Sequence, residues 1–158
     1  MRKILLLTTC FLVSFLSFGQ CPTMNVTLTT QTEVDNFAIQ YPNCTNFPAL
    51  TLSIESAAGS DPITNLDGLG LIETLTGGLR IQNNATLTVL SGLENMEMLP
   101  GSGLSIYSNP LLTGFTNFLS PVSDDIIINI ADNPNLLSLE GLPPFTKLKT
   151  LRISDTGI

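Results

Sequence analysis

The residues that could support catalysis are few, because the chain contains no histidine and only three cysteines. The usual general base is therefore absent, and the usual thiol nucleophile is absent too if the cysteines are paired. The densest carboxylate group is Asp124, Asp125 and Asp132. It could form a hydrolase pair if its members converged on one cleft, or it could bind calcium through its oxygens. Carboxylates of this kind more often mark a solvated turn. We therefore predict a non-enzymatic protein with no catalytic residue and no cofactor, and a calcium site at these three positions stays the open alternative.

Side chains suited to recognition alternate with apolar residues along four short segments. Tyr107, flanked by Gln82 and Arg80, is the strongest candidate, since Tyr and Arg are enriched at binding hot spots. If the segments are neighbouring strands, they stack about 4.8 Å apart, so that their outward side chains line up in columns across the sheet. One column is predicted to contain Ser53, Arg80, Ser105, Asn129 and Arg152, and the next Glu55, Gln82, Tyr107, Ala131 and Ser154. The predicted ligand-binding residues are Arg80, Gln82, Ser105, Tyr107, Asn129 and Arg152. The alternative for any one of them is an ordinary solvated strand residue.

These segments belong to a phrase that recurs four times. The copies are Leu79-x-Ile81-x-x-Asn84, Leu104-x-Ile106-x-x-Asn109, Ile128-x-Ile130-x-x-Asn133 and Leu151-x-Ile153-x-x-Thr156, with first residues 25, 24 and 23 positions apart. The alternation is typical of a strand with one buried face. A period between about 20 and 30 residues predicts a solenoid in which each coil repeats one unit. Leu52-x-Ile54 is the predicted first strand, and a register slip is predicted near Ile126-Ile127-Ile128.

Each of three copies ends in an asparagine, at Asn84, Asn109 and Asn133. These amides could contact a ligand. A buried asparagine at a coil corner can instead donate to carbonyls of the adjacent coil and accept from its amides, which forms a ladder. We predict this structural role for all three.

The mature chain retains two cysteines, Cys21 and Cys44, which we predict to form a disulfide. Between them, Thr30-Gln31-Thr32-Glu33 is a capping-box pattern. An apolar stripe follows at Val34, Phe37, Ala38 and Tyr41 and predicts a helix over about 31–41. This predicts an N-terminal cap at 20–49, followed by a solenoid of about five coils at 50–158 that we expect to be truncated at its C-terminal end.

Residues 1–19 are predicted to be a secretory signal peptide. Arg2 and Lys3 precede an apolar run that is too short to favour a membrane span. Its removal would leave four basic residues against thirteen acidic ones, a net charge of −9. Such a surface repels phosphate backbones, so we predict no nucleic-acid partner and no membrane insertion after signal cleavage.

The unit Leu-x-Ile-x-x-Asn-Pro-x-Leu followed by Leu-x-Gly-Leu, behind a Cys-helix-Cys segment, resembles the receptor L-domain-like repeats of secreted bacterial proteins. These are relatives of leucine-rich repeats, and the resemblance covers residues 21–158. It implies an α/β, strand-dominated, right-handed solenoid with a parallel sheet and an N-terminal capping helix. In animal receptors such domains bind protein ligands.

We therefore predict a secreted or cell-surface recognition module that binds an extracellular protein or glycan through the exposed face of its parallel sheet. The alternative is a structural spacer that presents another domain.

Overall fold

The computed structural model describes residues 20–59, 61–115, 125–142 and 147–158. The predicted signal peptide and Asp124 lie outside the described residues. The elements in chain order are β1 Val26–Leu28, α1 Gln31–Gln40, β2 Asn46–Phe47, β3 Thr51–Glu55, a 3-10 helix Asp67–Leu69, β4 Thr74–Leu75, β5 Gly78–Gln82, β6 Glu97–Met98, β7 Gly103–Tyr107, β8 Ile126–Asn133 and β9 Leu148–Thr156. Strands therefore dominate the described part of the chain.

Six strands form one parallel sheet in the order β1, β3, β5, β7, β8, β9. Each coil thus places its strand beside the strand of the preceding coil. The register aligns Ile54 with Ile81, Ile81 with Ile106, Ile106 with Ile130, and Ile130 with Ile153. The predicted column of isoleucines is confirmed, and the chain is a β-solenoid of about five turns.

The sheet begins earlier than the sequence predicted. β1 pairs in parallel with β3, so that Val26 aligns with Leu52 and Leu28 with Ile54. The prediction that Leu52-x-Ile54 is the first strand was therefore wrong. A strand of three residues shows too little alternation to be recognised from its pattern, and its place is decided by pairing with β3.

A second parallel sheet of three two-residue strands, β2, β4 and β6, was also missed. Each strand contributes one fully buried side chain to the core, Phe47, Leu75 and Met98 respectively. Two residues carry no periodicity, so only the stacking of coils identifies these strands.

The core is one continuous apolar cluster that runs through the coils. In β3 and β7 every second residue is buried, as the alternation predicted. The later leucines of the repeat, Leu87, Leu112 and Leu136, close the coil onto the same core and are fully buried. Burying each such side chain stabilises the fold by roughly 1.5–3 kcal/mol.

Helix α1 ends at Gln40, one residue before the predicted boundary. The Thr30 side chain caps it by accepting from the Glu33 backbone N–H at 3.2 Å. The Glu33 carboxylate reaches back one residue further than a standard capping box and accepts from the Thr29 N–H at 2.6 Å. Val34 and Phe37 are the buried face of the helix. The helix therefore has a satisfied N-terminus and a core-facing stripe.

The disulfide joins Cys21 to Cys44, with a Cα–Cα distance of 4.6 Å. Cys44 is fully buried and belongs to the core cluster, whereas Cys21 is partly buried and packs against it. The bond ties the segment before β1 to the segment after α1.

The corners of the coils use left-handed backbone at equivalent positions. Asn83, Ser108, Asp132 and Asp155 have φ values of 57°, 56°, 55° and 50°, and each comes one residue before the ladder position of its coil. Asn and Asp tolerate this conformation better than other residues that carry a side chain. Further round the coil, Gly141 adopts φ 94°, where an added Cβ would also overlap the Phe115 carbonyl oxygen.

The predicted register slip lies between β8 and β9. Ile126 pairs with Leu148 and Ile127 with Thr150, so Lys149 is an extra residue in β9. The Leu151 and Ile153 side chains continue the inward columns but are 46% and 38% exposed. β9 is thus the edge of the sheet in the described residues.

Candidate functional site

The outward-facing side chains of the six-stranded sheet form three columns, which together we call the outer face. The register aligns Thr27, Ser53, Arg80, Ser105, Asn129 and Arg152 as the central column. Glu55, Gln82, Tyr107, Ala131 and Ser154 form the carboxyl-side column. Thr51, Gly78, Gly103, Ile127 and Thr150 form the amino-side column. All six predicted ligand-binding residues lie on this face.

The strongest predicted candidates are neighbours. Tyr107 on β7 pairs directly with Gln82 on β5, and Arg80 lies two residues before Gln82 on the same face. Arg80 is exposed, whereas Gln82 and Tyr107 are half-buried. Ser105 pairs with Arg80 on one side and Asn129 on the other, and Asn129 pairs with Arg152. The structure therefore brings a phenol, two guanidinium groups, two amides and a hydroxyl onto one continuous surface.

A carboxylate that the sequence did not single out organises one edge of this surface. Glu55 accepts from the Asn83 side-chain amide and from that of Gln82, each at 2.7 Å. These two hydrogen bonds hold the pKa of Glu55 below its usual value, and the nearby Arg80 charge lowers it further. Gln82 is thus held in place, with its amide N–H directed toward Glu55.

The three ladder asparagines are buried behind the carboxyl end of the sheet. Their side-chain amides donate to the carbonyl oxygens of Ile54, Ile81 and Ile106 in the preceding coils, at 3.1, 3.1 and 3.0 Å. Their side-chain oxygens accept from the backbone N–H groups of Ser56, Asn84 and Asn109, at 2.9, 3.2 and 3.1 Å. Each asparagine therefore joins its own coil to the preceding one.

The ladder also reaches the outer face through the backbone. Asn109 Nδ2 donates to the Tyr107 carbonyl oxygen at 3.0 Å, and Asn133 Nδ2 donates to that of Ala131 at 2.6 Å. Side-chain amides that donate to and accept from two coils leave little freedom in the strand ends. The backbone that carries Tyr107 is thereby fixed from the buried side.

The two described members of the acidic group considered for catalysis or calcium, Asp125 and Asp132, do not converge. Asp125 directly precedes β8, and Asp132 lies near the far end of that strand. Seven extended positions separate them by about 23 Å. Asp125 instead lies 3.7 Å from the Lys149 ammonium, and both side chains are more than half exposed. Among the described residues, no group of three or more His, Cys, Asp or Glu side chains is arranged to bind a metal ion.

One open groove lies away from the outer-face candidates. It has a volume of about 750 Å³ and lies between β1 and α1. Thr27, Glu33, Asn36 and Tyr41 contribute to its lining. Cys21 of the disulfide and Thr27 of the outer face also line it, but none of the six predicted ligand-binding residues does, so the groove is separate from those candidates.

No family model, curated protein or solved structure matches the chain. In the described part of the chain, no helix has the length and apolar character needed to span a membrane.

Proposed function

We propose that this protein is a non-enzymatic recognition module, secreted or held at the cell surface, that binds an extracellular protein or glycan through the outer face. The observation that carries the proposal is the in-register array of Arg80, Gln82, Tyr107, Ser105 and Asn129. None of these side chains belongs to the buried core. Side chains that the fold does not need, supported by a rigid sheet, are available for contact with a ligand.

Preorganisation supports this proposal. The parallel ladder and the buried asparagines fix the strands, and Glu55 holds the Gln82 amide. A surface that is ordered before binding pays a smaller entropic cost when a ligand arrives. The same array on a mobile loop would bind more weakly.

An extracellular location is part of the proposal. A disulfide persists in oxidising compartments, and the Cys21–Cys44 bond is formed here. The apolar segment at residues 1–19 is the feature that would direct export. The resemblance to secreted receptor L-domain-like repeats supports the same location. Parallel strand crossovers are right-handed in about 98% of cases, which supports the expected hand of the solenoid.

We also propose that α1 and the disulfide act as the N-terminal cap. Gln31 Oε1 accepts from the backbone N–H groups of Thr64 and Asn65 at 2.8 and 3.2 Å, which attaches the helix to the following coil. A solenoid needs such a terminal element, because its first coil otherwise leaves the core open to water.

The proposal is tested with the double variant Arg80→Ala/Tyr107→Ala in a screen of extracellular proteins and glycans. Both side chains point outward, so the variant should keep its fold, as checked by circular dichroism. A recognition module should lose binding to the ligand that the wild-type protein captures. A matched control is Thr113→Ala/Lys147→Ala, two exposed positions outside the outer face.

The second candidate function is a structural spacer, which a regular, disulfide-tied solenoid would also suit. A spacer should be indifferent to substitution of the outer face. If every ligand found in the screen binds the Arg80→Ala/Tyr107→Ala variant as well as the wild type, the recognition proposal fails in favour of the spacer.

A further inference from the structure

Two glycines on the outer face lie at positions where the backbone conformation does not require glycine. Gly78 and Gly103 are the first residues of β5 and β7 and pair directly with each other. Neither has a positive φ, and no register shift occurs in either strand where the two are paired. Glycine at a strand position costs roughly 0.5–1 kcal/mol relative to alanine, because more conformational freedom is lost on folding. A structural reason is therefore expected.

Steric space does not supply that reason. A Cβ added to Gly103 would meet nothing closer than the Ile127 carbonyl oxygen at 4.0 Å. The atoms nearest to a Cβ added at Gly78 belong to the Thr51 side chain, at 3.4–3.9 Å, which is ordinary van der Waals contact. By contrast, a Cβ on the neighbouring Gly77 would overlap the Leu50 carbonyl oxygen. The fold requires glycine at 77 but not at 78 or 103.

The paired glycines leave a notch without side chains on the outer face, which we call the glycine notch. Thr51 borders it on β3 and Ile127 on β8, while Arg80 and Ser105 follow it on its own two strands. A glycine in a strand that forms no bulge often marks a place where a ligand approaches the backbone closely. The glycine notch therefore fits a ligand that lies flat against the strands.

The charge of the outer face differs from that of the rest of the protein. Of the four basic residues after position 19, two lie on this face, whereas among the twelve acidic residues that the structure describes only Glu55 does. Arg80 and Arg152 are separated by three strand spacings, or about 14 Å, with Ser105 and Asn129 between them. At physiological ionic strength the Debye length is about 8 Å, so the distant carboxylates are largely screened from a ligand on this face. The nearby Glu55 carboxylate accepts from Gln82 and Asn83. The two guanidinium groups therefore favour an anionic group on the amino side of Arg80 and beside Arg152.

The apolar content of the face argues against a protein partner. The exposed large apolar side chains of the described residues lie elsewhere: Met24, Ile39, Leu111, Leu137, Leu151, Ile153 and Ile158. Protein interfaces have apolar, aromatic-rich centres. The outer face offers one phenol ring and one half-buried isoleucine side chain, Ile127, together with hydroxyl and amide groups that both donate and accept hydrogen bonds. That combination suits a ligand rich in hydroxyl groups.

We propose that the outer face binds an acidic glycan, with a sugar ring lying in the glycine notch and its carboxylate or sulfate paired with Arg80. The inference rests on the proposed recognition function and names the ligand class of the same site. Tyr107 packs against an adjoining sugar ring, and Ser105 and Asn129 bind its hydroxyl groups. The glycan chain crosses the strands toward Arg152, whose guanidinium takes a second anionic group.

The test measures binding of the purified protein to three soluble polysaccharides: polygalacturonate, dextran sulfate and uncharged dextran. We expect one of the two charged polymers to bind and uncharged dextran not to bind. The first two arms distinguish a carboxylate from a sulfate as the recognised group. Affinity should fall as salt rises, since the contact includes exposed charges. Binding of both charged polymers no tighter than that of dextran would overturn the inference.

Substitution of the notch separates ligand contact from folding. Gly103→Thr should weaken binding about tenfold or more, because the new side chain fills the glycine notch. A tenfold change in affinity corresponds to about 1.4 kcal/mol. The same substitution should leave the melting temperature unchanged or raise it, since threonine favours strands. Gly114→Thr is the matched control, because its added Cβ also meets nothing within 4 Å but lies outside the outer face. Undiminished binding by Gly103→Thr would contradict the inference.

A second pair of variants tests the charge. Arg80→Gln should weaken binding of the charged polymer about tenfold, because it removes a charge-assisted hydrogen bond. Lys147→Gln removes the same charge from an exposed position outside the outer face and should bind normally. If Lys147→Gln weakens binding as much as Arg80→Gln does, attraction is non-specific and the inference fails.

The failure of this inference is distinguishable from failure of the proposed function. A protein or uncharged glycan whose binding is lost in Arg80→Ala/Tyr107→Ala would preserve the recognition function and exclude the acidic glycan. An acidic glycan whose binding is insensitive to both Gly103→Thr and Arg80→Gln would exclude the outer face for that ligand.

Discussion

Asn109 Nδ2 donates a hydrogen bond to the carbonyl oxygen of Tyr107 at 3.0 Å. The asparagine is fully buried, whereas the tyrosine side chain lies on the outer face. A single hydrogen bond thus links the interior ladder to the strongest candidate for ligand contact. The stability of the coil corner and the position of Tyr107 on the outer face therefore depend on the same residue.

Asn109→Ala should be among the more damaging single substitutions in the ladder. It removes the acceptor of the Asn84 backbone N–H and the donor to the Ile81 carbonyl oxygen, both buried. Leaving buried polar groups unsatisfied costs about 1–3 kcal/mol each, so we expect the free energy of unfolding to fall by about 2–6 kcal/mol. Urea denaturation measures it.

Asn135→Ala is the matched control for the ladder. Asn135 is exposed and donates one hydrogen bond to the Pro110 carbonyl oxygen at 2.7 Å. Water can replace that hydrogen bond, so Asn135→Ala should reduce the free energy of unfolding by less than about 1 kcal/mol. Equal losses for Asn109→Ala and Asn135→Ala would mean that the ladder contributes no special stability.

The isoleucine column should show a gradient of sensitivity along the solenoid. Ile106→Ala should cost about 2–5 kcal/mol, because Ile106 is completely buried and its truncation leaves a cavity. Ile153 lies in the same column on β9, but its side chain is already 38% exposed. Ile153→Ala should therefore reduce the free energy of unfolding by clearly less. Chemical denaturation of both variants tests the gradient, and a larger effect at Ile153 would contradict the observed packing.

Loss of the disulfide should destabilise the protein, because it removes the covalent link between the segment before β1 and the segment after α1. Replacing both Cys21 and Cys44 with serine should reduce the free energy of unfolding by roughly 3 kcal/mol, by the loop-closure entropy argument. Differential scanning calorimetry measures the lowered melting temperature. A reductant should lower the melting temperature of the wild type and leave that of the double variant unchanged. Indifference of the wild type to reduction would exclude a stabilising bond.

Because of Glu33, the free energy of unfolding should depend on pH in the acidic range. The hydrogen bond from the Thr29 backbone N–H is the main cause that lowers the pKa of Glu33 below its usual value. A carboxyl whose pKa is lower in the folded state stabilises the protein above the unfolded pKa. That contribution is lost as the pH falls through the folded pKa. Solvent screens this exposed group, so the effect should remain below about 1 kcal/mol.

Thermal denaturation of wild type and Glu33→Gln between neutral and strongly acidic pH measures this contribution. The wild type should be the more stable protein at neutral pH, and the difference should shrink as the pH falls. Thr29→Val removes the 2.9 Å hydroxyl bond but keeps the backbone donor, so it should retain most of the pH dependence. A difference that grows on acidification would contradict the assignment.

The repeat was predictable because its strands are long enough to show alternation. Leu79, Ile81, Leu104 and Ile106 occur at one phase of a regular period, and a parallel sheet of coils is the arrangement that buries them together. β1 and the two-residue strands lacked that signal. The role of Glu55 was missed for a different reason: its hydrogen bonds to Gln82 and Asn83 join residues 27 and 28 positions apart.

The positions of Asp125 and Asp132 depended on the strand between them. Their nearness in sequence left a shared calcium site open as an alternative, but the extended strand β8 separates the two residues. The glycine notch could not be anticipated either, because a glycine that the fold requires, such as Gly77, looks the same in sequence as one that it does not require, such as Gly103. Only the distances to neighbouring atoms distinguish the two.

Periodicity along the chain was sufficient to establish the solenoid, the inward columns and the outward positions of Arg80 and Tyr107, because alternation assigns each side chain to a face. Contacts between coils decided the remainder: the second sheet, the hydrogen bonds of the ladder, and which glycines leave open space. These depend on distances between residues more than twenty positions apart. A local pattern contains no information about such distances until the coils are stacked.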